Sequence, residues 1–127
     1  NVLDKAFERI SRFHRELFTI RFGKNVVNLL CRDIVYLESN KRKVIVHTVR
    51  GEYEYYHKLD EAEEELLAIS ADFVRIHKAY LVNMEHVEAF QYEKLALRDG
   101  TILSISEAHR ANVRSRFWNG VLSKNKH

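Results

Sequence analysis

The sequence predicts a mostly β protein of antiparallel strands, with one helix at each end and one helix inserted between strands. Three observations predict this fold class. Apolar and polar residues alternate over short segments such as residues 18–22, which is the period of a half-buried strand. Turn-forming residues separate these segments, and the clearest pair is Asp99-Gly100, which is typical of a tight β-hairpin. The longer period of an amphipathic helix appears in only three places.

The bulk composition indicates a single globular domain. The chain has 127 residues, of which 46% are hydrophobic and 11% aromatic, so it is large enough to bury a core without a metal or a disulfide. Its single cysteine, Cys31, excludes an internal disulfide and suits a reducing compartment. No apolar run approaches the length of a membrane span, and no signal peptide opens the sequence. We therefore expect a cytoplasmic protein that needs no cofactor, no metal and no membrane.

The N-terminal segment has the pattern of an amphipathic helix, with apolar residues at helical spacing and charged residues between them. The sequence begins inside this pattern without a capping residue. We therefore expect residues 1–16 to form a linker helix from an upstream domain that this chain does not contain. The domain proper is expected to span residues 17–120, followed by a C-terminal tail at 121–127. Its first two strands are predicted at 18–22 and 26–30, on either side of a glycine turn.

A second hairpin carries three consecutive cations at its turn. A buried strand is predicted at residues 34–37 and the next strand at 44–49, and Gly51 begins the return strand. Such a turn is well placed to contact phosphate groups, although the pattern alone describes an ordinary solvated turn equally well. The residues between the two strands that form this turn include Asn40, Lys41, Arg42 and Lys43.

The inserted helix is acidic. Residues 59–72 hold six Asp and Glu and no Lys or Arg, and removing these six charges from the total of +3 leaves +9 on the rest of the chain. Asp60 followed by Glu63 has the spacing of a capping box at a helix start. Because carboxylates repel phosphate, we expect this helix to be scaffold that lies away from any nucleic acid.

Residues 73–83, F-V-R-I-H-K-A-Y-L-V-N, are predicted to form a strand that ends in a turn at His77-Lys78. A strand end with solvated charges is the plain alternative. Further strands are expected at 87–90, 94–97 and 102–105. Ser106 is then predicted to cap a short last helix that presents several arginines.

Three segments of this sequence resemble the LytTR DNA-binding domain, the output domain of many bacterial response regulators. They are residues 73–83, the earlier D-I-V-Y-L-E-S-N at 33–40, and the closing L-R-D-G-T-I-L-S-I-S at 97–106. The resemblance implies an elongated β fold that binds double-stranded DNA at promoter direct repeats. It also implies loops, rather than a recognition helix, inserted into successive major grooves. A receiver or sensor domain upstream and a dimer on DNA are further expectations of the same resemblance.

The resemblance also implies which residues contact DNA. The loop after the E-S pair maps to residues 40–43, and the next contact maps to His77 and Lys78. An arginine commonly follows the closing I-S pair, but this chain has Glu107, which leaves His109 and Arg110 to reach DNA from the last helix. A carboxylate cannot bind phosphate, but it can accept a hydrogen bond from cytosine or stabilise the helix start.

Other classes of function are weaker matches to the residues. No nucleophile elbow, phosphate-binding glycine loop or metal-ligand spacing is present, so we do not expect an enzyme. An RNA-binding or protein-interaction β module remains the alternative, because Tyr53 and Tyr55 share one strand face and could stack on bases.

Overall fold

This computed structural model describes residues 16–125, with side chains as far as Trp118, and they contain ten antiparallel strands, two α-helices and two short 3-10 helices. The mostly β, antiparallel class is therefore confirmed, whereas the expected linker helix lies outside the described residues. The strands are β1 (Leu17–Phe22), β2 (Asn25–Leu30), β3 (Ile34–Asn40), β4 (Lys43–Thr48), β5 (Gly51–Tyr56), β6 (Phe73–His77), β7 (Tyr80–Asn83), β8 (Val87–Phe90), β9 (Lys94–Leu97) and β10 (Ile102–Ser104). The helices are α1 (Leu59–Leu67) and α2 (Glu107–Asn125).

The centre of the fold is a five-stranded sheet with the order β5-β4-β3-β7-β6. Every pairing in it is antiparallel, and α1 is inserted between β5 and β6. The middle strand β3 is buried on both faces, with Ile34 and Leu37 packed on one side and Val35 on the other. Burial on both faces explains why this strand has a continuous apolar run rather than a clean alternation.

Two hydrophobic cores lie on opposite faces of this sheet. The first is covered by the β1–β2 hairpin and by α1, whose residues Leu59, Ala62 and Leu66 recur at helical spacing and are buried. The second is covered by the three-stranded sheet β10-β9-β8 and by α2. Asn83, which is 1% exposed, links the end of β7 to the start of β3, because its amide nitrogen donates to the carbonyl oxygens of Cys31 and Ile34.

Two details differ from the expectations. Helix α2 runs for 19 residues to Asn125, which is longer than the short helix expected and enters the segment assigned to the tail. The prediction of a capping box at the start of α1 is wrong, because the helix begins at Leu59 and its N-cap Lys58 makes no side-chain capping bond. None of the helices among residues 16–125 is both long and apolar enough to cross a bilayer.

Candidate nucleic-acid interface

The cationic turns predicted from the sequence lie at the same end of the central sheet. Because the strands are antiparallel, β3 ends and β4 begins at the end where β6 stops and β7 starts. The two turns are joined directly, since the backbone N–H of Ser39 donates to the carbonyl of Ala79 at 2.8 Å. Two strand spacings separate their centres, which is about 10 Å. We call this end, formed by residues 40–43, 77–79 and the start of α2, the basic end.

The β3–β4 turn presents two of its cations to solvent. Asn40 pairs with Lys43, so Lys41 and Arg42 form a two-residue turn, and both are exposed. Lys41 has a φ of 58°, the left-handed backbone conformation that residues other than glycine and asparagine rarely adopt. Lys43 is held by the protein itself, because its ammonium lies 3.2 Å from the carboxylate of Glu54 and 5.0 Å from the ring centre of Tyr56.

The β6–β7 turn presents Lys78. The pairing of β6 with β7 shifts register between Arg75 and His77, and the chain turns immediately afterwards. The Nδ1 atom of His77 accepts from the backbone N–H of Ala79 at 3.1 Å, and the imidazole lies half-buried beside Tyr80. His77 therefore shapes the turn with one ring nitrogen, while the exposed Lys78 supplies its free positive charge.

Arg75 holds this turn, a role that the sequence pattern did not indicate. Its side chain is only 11% exposed, and its Nε donates to the carbonyl of His77 at 2.7 Å. Nη2 donates to the carbonyl of Lys78, and Nη1 reaches the carboxylates of Asp60 at 2.7 Å and Glu63 at 2.8 Å. The first turn of the acidic helix therefore lies next to the basic end, which corrects the expectation that this helix is remote from it.

The start of α2 lies beside the end of β6, because the backbone N–H of Ser106 donates to Ile76 at 2.9 Å. Glu107 is exposed in the first helical turn. His109 and Arg110 are half-buried and engaged locally: Nδ1 of His109 lies 2.6 Å from the Ser106 hydroxyl, and the guanidinium of Arg110 lies 5.5 Å from the Tyr92 ring centre. Of these three residues, Glu107 is thus the most open to a ligand.

A further cationic element, the β1–β2 hairpin tip, lies beside the basic end. An open cleft of about 600 Å³ between this tip and the end of β5 is lined by Arg21, Tyr56 and Lys43 among others. A neighbouring cleft of about 380 Å³ shares Lys43 and Tyr56 with it and continues to the β3–β4 turn. Tyr56 is 76% exposed and lines both clefts. The glycine turn between β1 and β2, which contains Lys24, was predicted from the sequence. Its proximity to the basic end was not predicted, because that proximity depends on the packing of β1 beside β5.

The aromatic face that would suit single-stranded RNA is used for packing instead. Tyr53 meets the ring of Phe22 edge-on at 5.3 Å, and Tyr55 meets Phe18 edge-on at 6.4 Å. Both tyrosines are half-buried, so they do not offer a stacking platform on adjacent strands.

Neither a metal-binding cluster nor a reactive cysteine is present in the described part of the chain. Within residues 16–125, no three His, Cys, Asp or Glu side chains are grouped so that they could hold a metal ion. Cys31 is buried, and desolvation together with the nearby Glu16 and Asp72 raises the pKa of its thiol to about 11. The thiol is therefore protonated near neutral pH and is a poor nucleophile.

Comparisons with known proteins agree with one another. The family model described as the LytTr DNA-binding domain matches residues 24–118. The chain is 23% identical over 112 residues to the sensory transduction protein LytT of Bacillus subtilis (strain 168), covering 84% of this chain and 46% of that protein. The chain thus spans about half the length of this curated relative. A solved structure, the LytTr DNA-binding domain of a putative methyl-accepting/DNA response regulator from Bacillus cereus, has a TM-score of 0.67 at 20% identity, covering 79% of this chain and 94% of that one. The chain belongs to the LytTr DNA-binding domain family.

Proposed function

We propose that this domain binds duplex DNA sequence-specifically as the output domain of a transcription regulator, with the turns of the basic end inserted into successive major grooves. The observation that carries the proposal is the hydrogen bond between Ser39 and Ala79, which fixes two cationic turns side by side at one end of a sheet. A rigid pair of turns can present cations to a duplex with little loss of conformational entropy on binding.

The exposed side chains at this end suit different parts of the duplex. Arg42 has the planar fork that pairs with guanine O6 and N7 in the major groove, and Lys78 can donate to a base from the neighbouring turn. Lys41 has the compact charge that suits a phosphate oxygen. Sequence readout is therefore assigned to Arg42 and Lys78, and Lys41 is assigned to the backbone.

The width of the basic end is suited to more than one groove. From the β3–β4 turn to the start of α2, beyond β6, the basic end is about 15 Å wide, or about three strand spacings. Long basic side chains extend this width toward the length of one turn of duplex DNA, about 34 Å. The β3–β4 turn and the start of α2, on either side of the β6–β7 turn, are thus the parts we assign to neighbouring grooves.

The regulatory setting is part of the same proposal. LytT is a sensory transduction protein about twice the length of the matched region, so an additional input domain is expected here as well. Residues 1–16 would link the two domains, and 17–120 would bind promoter DNA in the cytoplasm. Recognition of direct repeats would place two copies on one promoter.

A selection of binding sites from a duplex library rich in direct repeats, at two salt concentrations, tests the proposal. We expect a defined site, with affinity that falls steeply as salt rises because cations displace counterions from phosphates. A library of single-stranded RNA serves as the comparison. Preference for RNA without a sequence consensus would favour the RNA-binding alternative and contradict the proposal.

A further inference from the structure

One side chain, that of Arg75, joins the acidic helix to the basic end. Arg75 donates to the carbonyl oxygens of two consecutive residues, His77 and Lys78, and to the carboxylates of Asp60 and Glu63. Its guanidinium therefore links the first turn of α1 to the backbone of the turn that presents Lys78. The planar fork of an arginine can bridge several acceptors at once, which a lysine ammonium does with far less directional control.

The carboxylates are what keep the guanidinium in place. A positive charge that is mostly withdrawn from water is costly unless it is paired, and both partners of Arg75 come from α1. Glu63 is itself only 28% exposed, so its ion pair is screened less than the pair with Asp60, which is 85% exposed. Without these acids, Arg75 gains by turning toward solvent and releasing the two carbonyls.

The turn needs this support because its local geometry is irregular. The strand pairing shifts register just before it, between Arg75 and His77. Within the turn, the Ala79 N–H is bonded only to the His77 imidazole, a side chain rather than a strand partner. The Ala79 carbonyl is anchored to β3 by the Ser39 N–H, so the part of the turn that depends on Arg75 is the backbone of His77 and Lys78.

We propose that Asp60, Glu63 and Arg75 are positioning residues for sequence recognition by Lys78. The proposal rests on the proposed function of the basic end. The two acids would thus have two opposing effects. Their negative charge weakens binding to any duplex, whereas their ion pairs with Arg75 raise the preference for the correct sequence.

Two paired variants separate charge from position. Asp60→Ala with Glu63→Ala removes the partners of Arg75. Glu61→Ala with Glu64→Ala removes the same charge from exposed positions of the same helix, with only a 3.7 Å contact between Glu61 and His57 at stake. The complete 127-residue chain is measured on its selected duplex and on a random duplex.

The expected results differ in kind. The control should bind both duplexes more tightly by a similar factor and keep its selectivity ratio. The Asp60 and Glu63 variant should bind the random duplex more tightly but lose about tenfold in that ratio, which is the usual worth of one base contact. Asp60→Asn with Glu63→Gln keeps oxygen acceptors for Arg75 and should lose less. Arg75→Lys keeps the charge but cannot bridge both carbonyls, so it should lose as much as the alanine pair.

Hydrogen exchange in the free protein gives a readout that needs no DNA. Exchange at the Ala79 amide should accelerate in the Asp60 and Glu63 alanine variant but not in the control, with both variants folded by circular dichroism. An unchanged selectivity ratio, an equal fall in the control, or unchanged exchange at Ala79 would overturn the inference. A wild-type chain that preferred no duplex would overturn the proposed function instead, and accelerated exchange would then still support the positioning of the turn.

Discussion

Lys41 offers a prediction in which stability and binding change in opposite directions. It lies at the tip of the β3–β4 turn with a φ of 58°, which only glycine adopts without cost. The left-handed conformation costs an ordinary residue about 1–2 kcal/mol, while glycine loses about 0.5–1 kcal/mol more chain entropy on folding. Lys41→Gly should therefore stabilise the fold by about 0.5–1 kcal/mol, which corresponds to a rise of about 2–5 °C in melting temperature.

The same substitution should weaken binding to DNA. If the ammonium of Lys41 contacts one phosphate, its loss lowers the slope of log affinity against log salt by about 0.9, on specific and random duplexes alike. Thermal unfolding and fluorescence anisotropy titrations at several salt concentrations measure the two effects. A weaker binder that is also more stable cannot be explained by misfolding.

Two companion variants separate the backbone from the charge. Lys41→Ala should show the same reduced slope without the gain in stability, because alanine keeps the left-handed strain. Lys41→Arg should keep both the slope and the wild-type melting temperature. A glycine variant with raised stability and an unchanged slope would remove Lys41 from the interface, and a lowered melting temperature would refute the assigned strain.

Three more predictions concern other parts of the molecule. Arg42→Ala or Lys78→Ala should cost about 1–3 kcal/mol on the selected site and relax specificity at only a few base pairs, whereas a uniform loss on all sequences would make them phosphate contacts. Arg21→Gln with Lys24→Gln should weaken binding to a long duplex but not to one shortened on the flank beside β5; an equal loss on both duplexes would place these two cations elsewhere. Cys31, with a pKa raised to about 11, should resist alkylation at pH 8 in the native protein and react on unfolding, and rapid native labelling would contradict its burial.

The strands were predictable because their signals are local. Alternation and turn residues located nine of the ten strands to within a few residues. Strand β7 was not predicted as a separate strand, and β3 was predicted to end at 37 instead of 40. Its last two residues, Ser39 and Asn40, are polar and exposed, yet pairing with β4 keeps them extended. A partner strand overrides weak local propensity in such a position.

The site was predictable only in part, because its organisation depends on contacts distant in sequence. Asp60 and Glu63 have the spacing of a capping box, but their carboxylates bind Arg75, which follows 15 and 12 residues later. A nearby guanidinium in a poorly hydrated site competes successfully with a helix terminus for the same oxygens. The sequence likewise indicated that 40–43 and 77–78 are turns. That both turns lie at the same end of the sheet follows only from the strand order, which the sequence does not reveal.

Glu107 is the position where the family resemblance and the local chemistry disagree. As the first residue of α2 it lies at the positive end of the helix dipole, where a carboxylate stabilises the helix by about 0.3–1 kcal/mol. If that is its role, Glu107→Gln should lower the melting temperature by about 1–4 °C and leave the consensus sequence unchanged.

Glu107→Arg distinguishes this structural role from base recognition. Arginine reverses the favourable dipole interaction, so the fold should lose somewhat more stability than with glutamine, yet binding to every duplex should strengthen as a negative charge near phosphate becomes positive. Cytosine recognition predicts a different result: discrimination is lost at one base pair, because the carboxylate would accept a hydrogen bond from the N4 of a single cytosine. A Glu107→Gln protein of unchanged stability that lost its preference at a single C·G pair would refute the structural role. The position of Glu107 as the first residue of α2 is the observation that supports the dipole role for this exposed carboxylate.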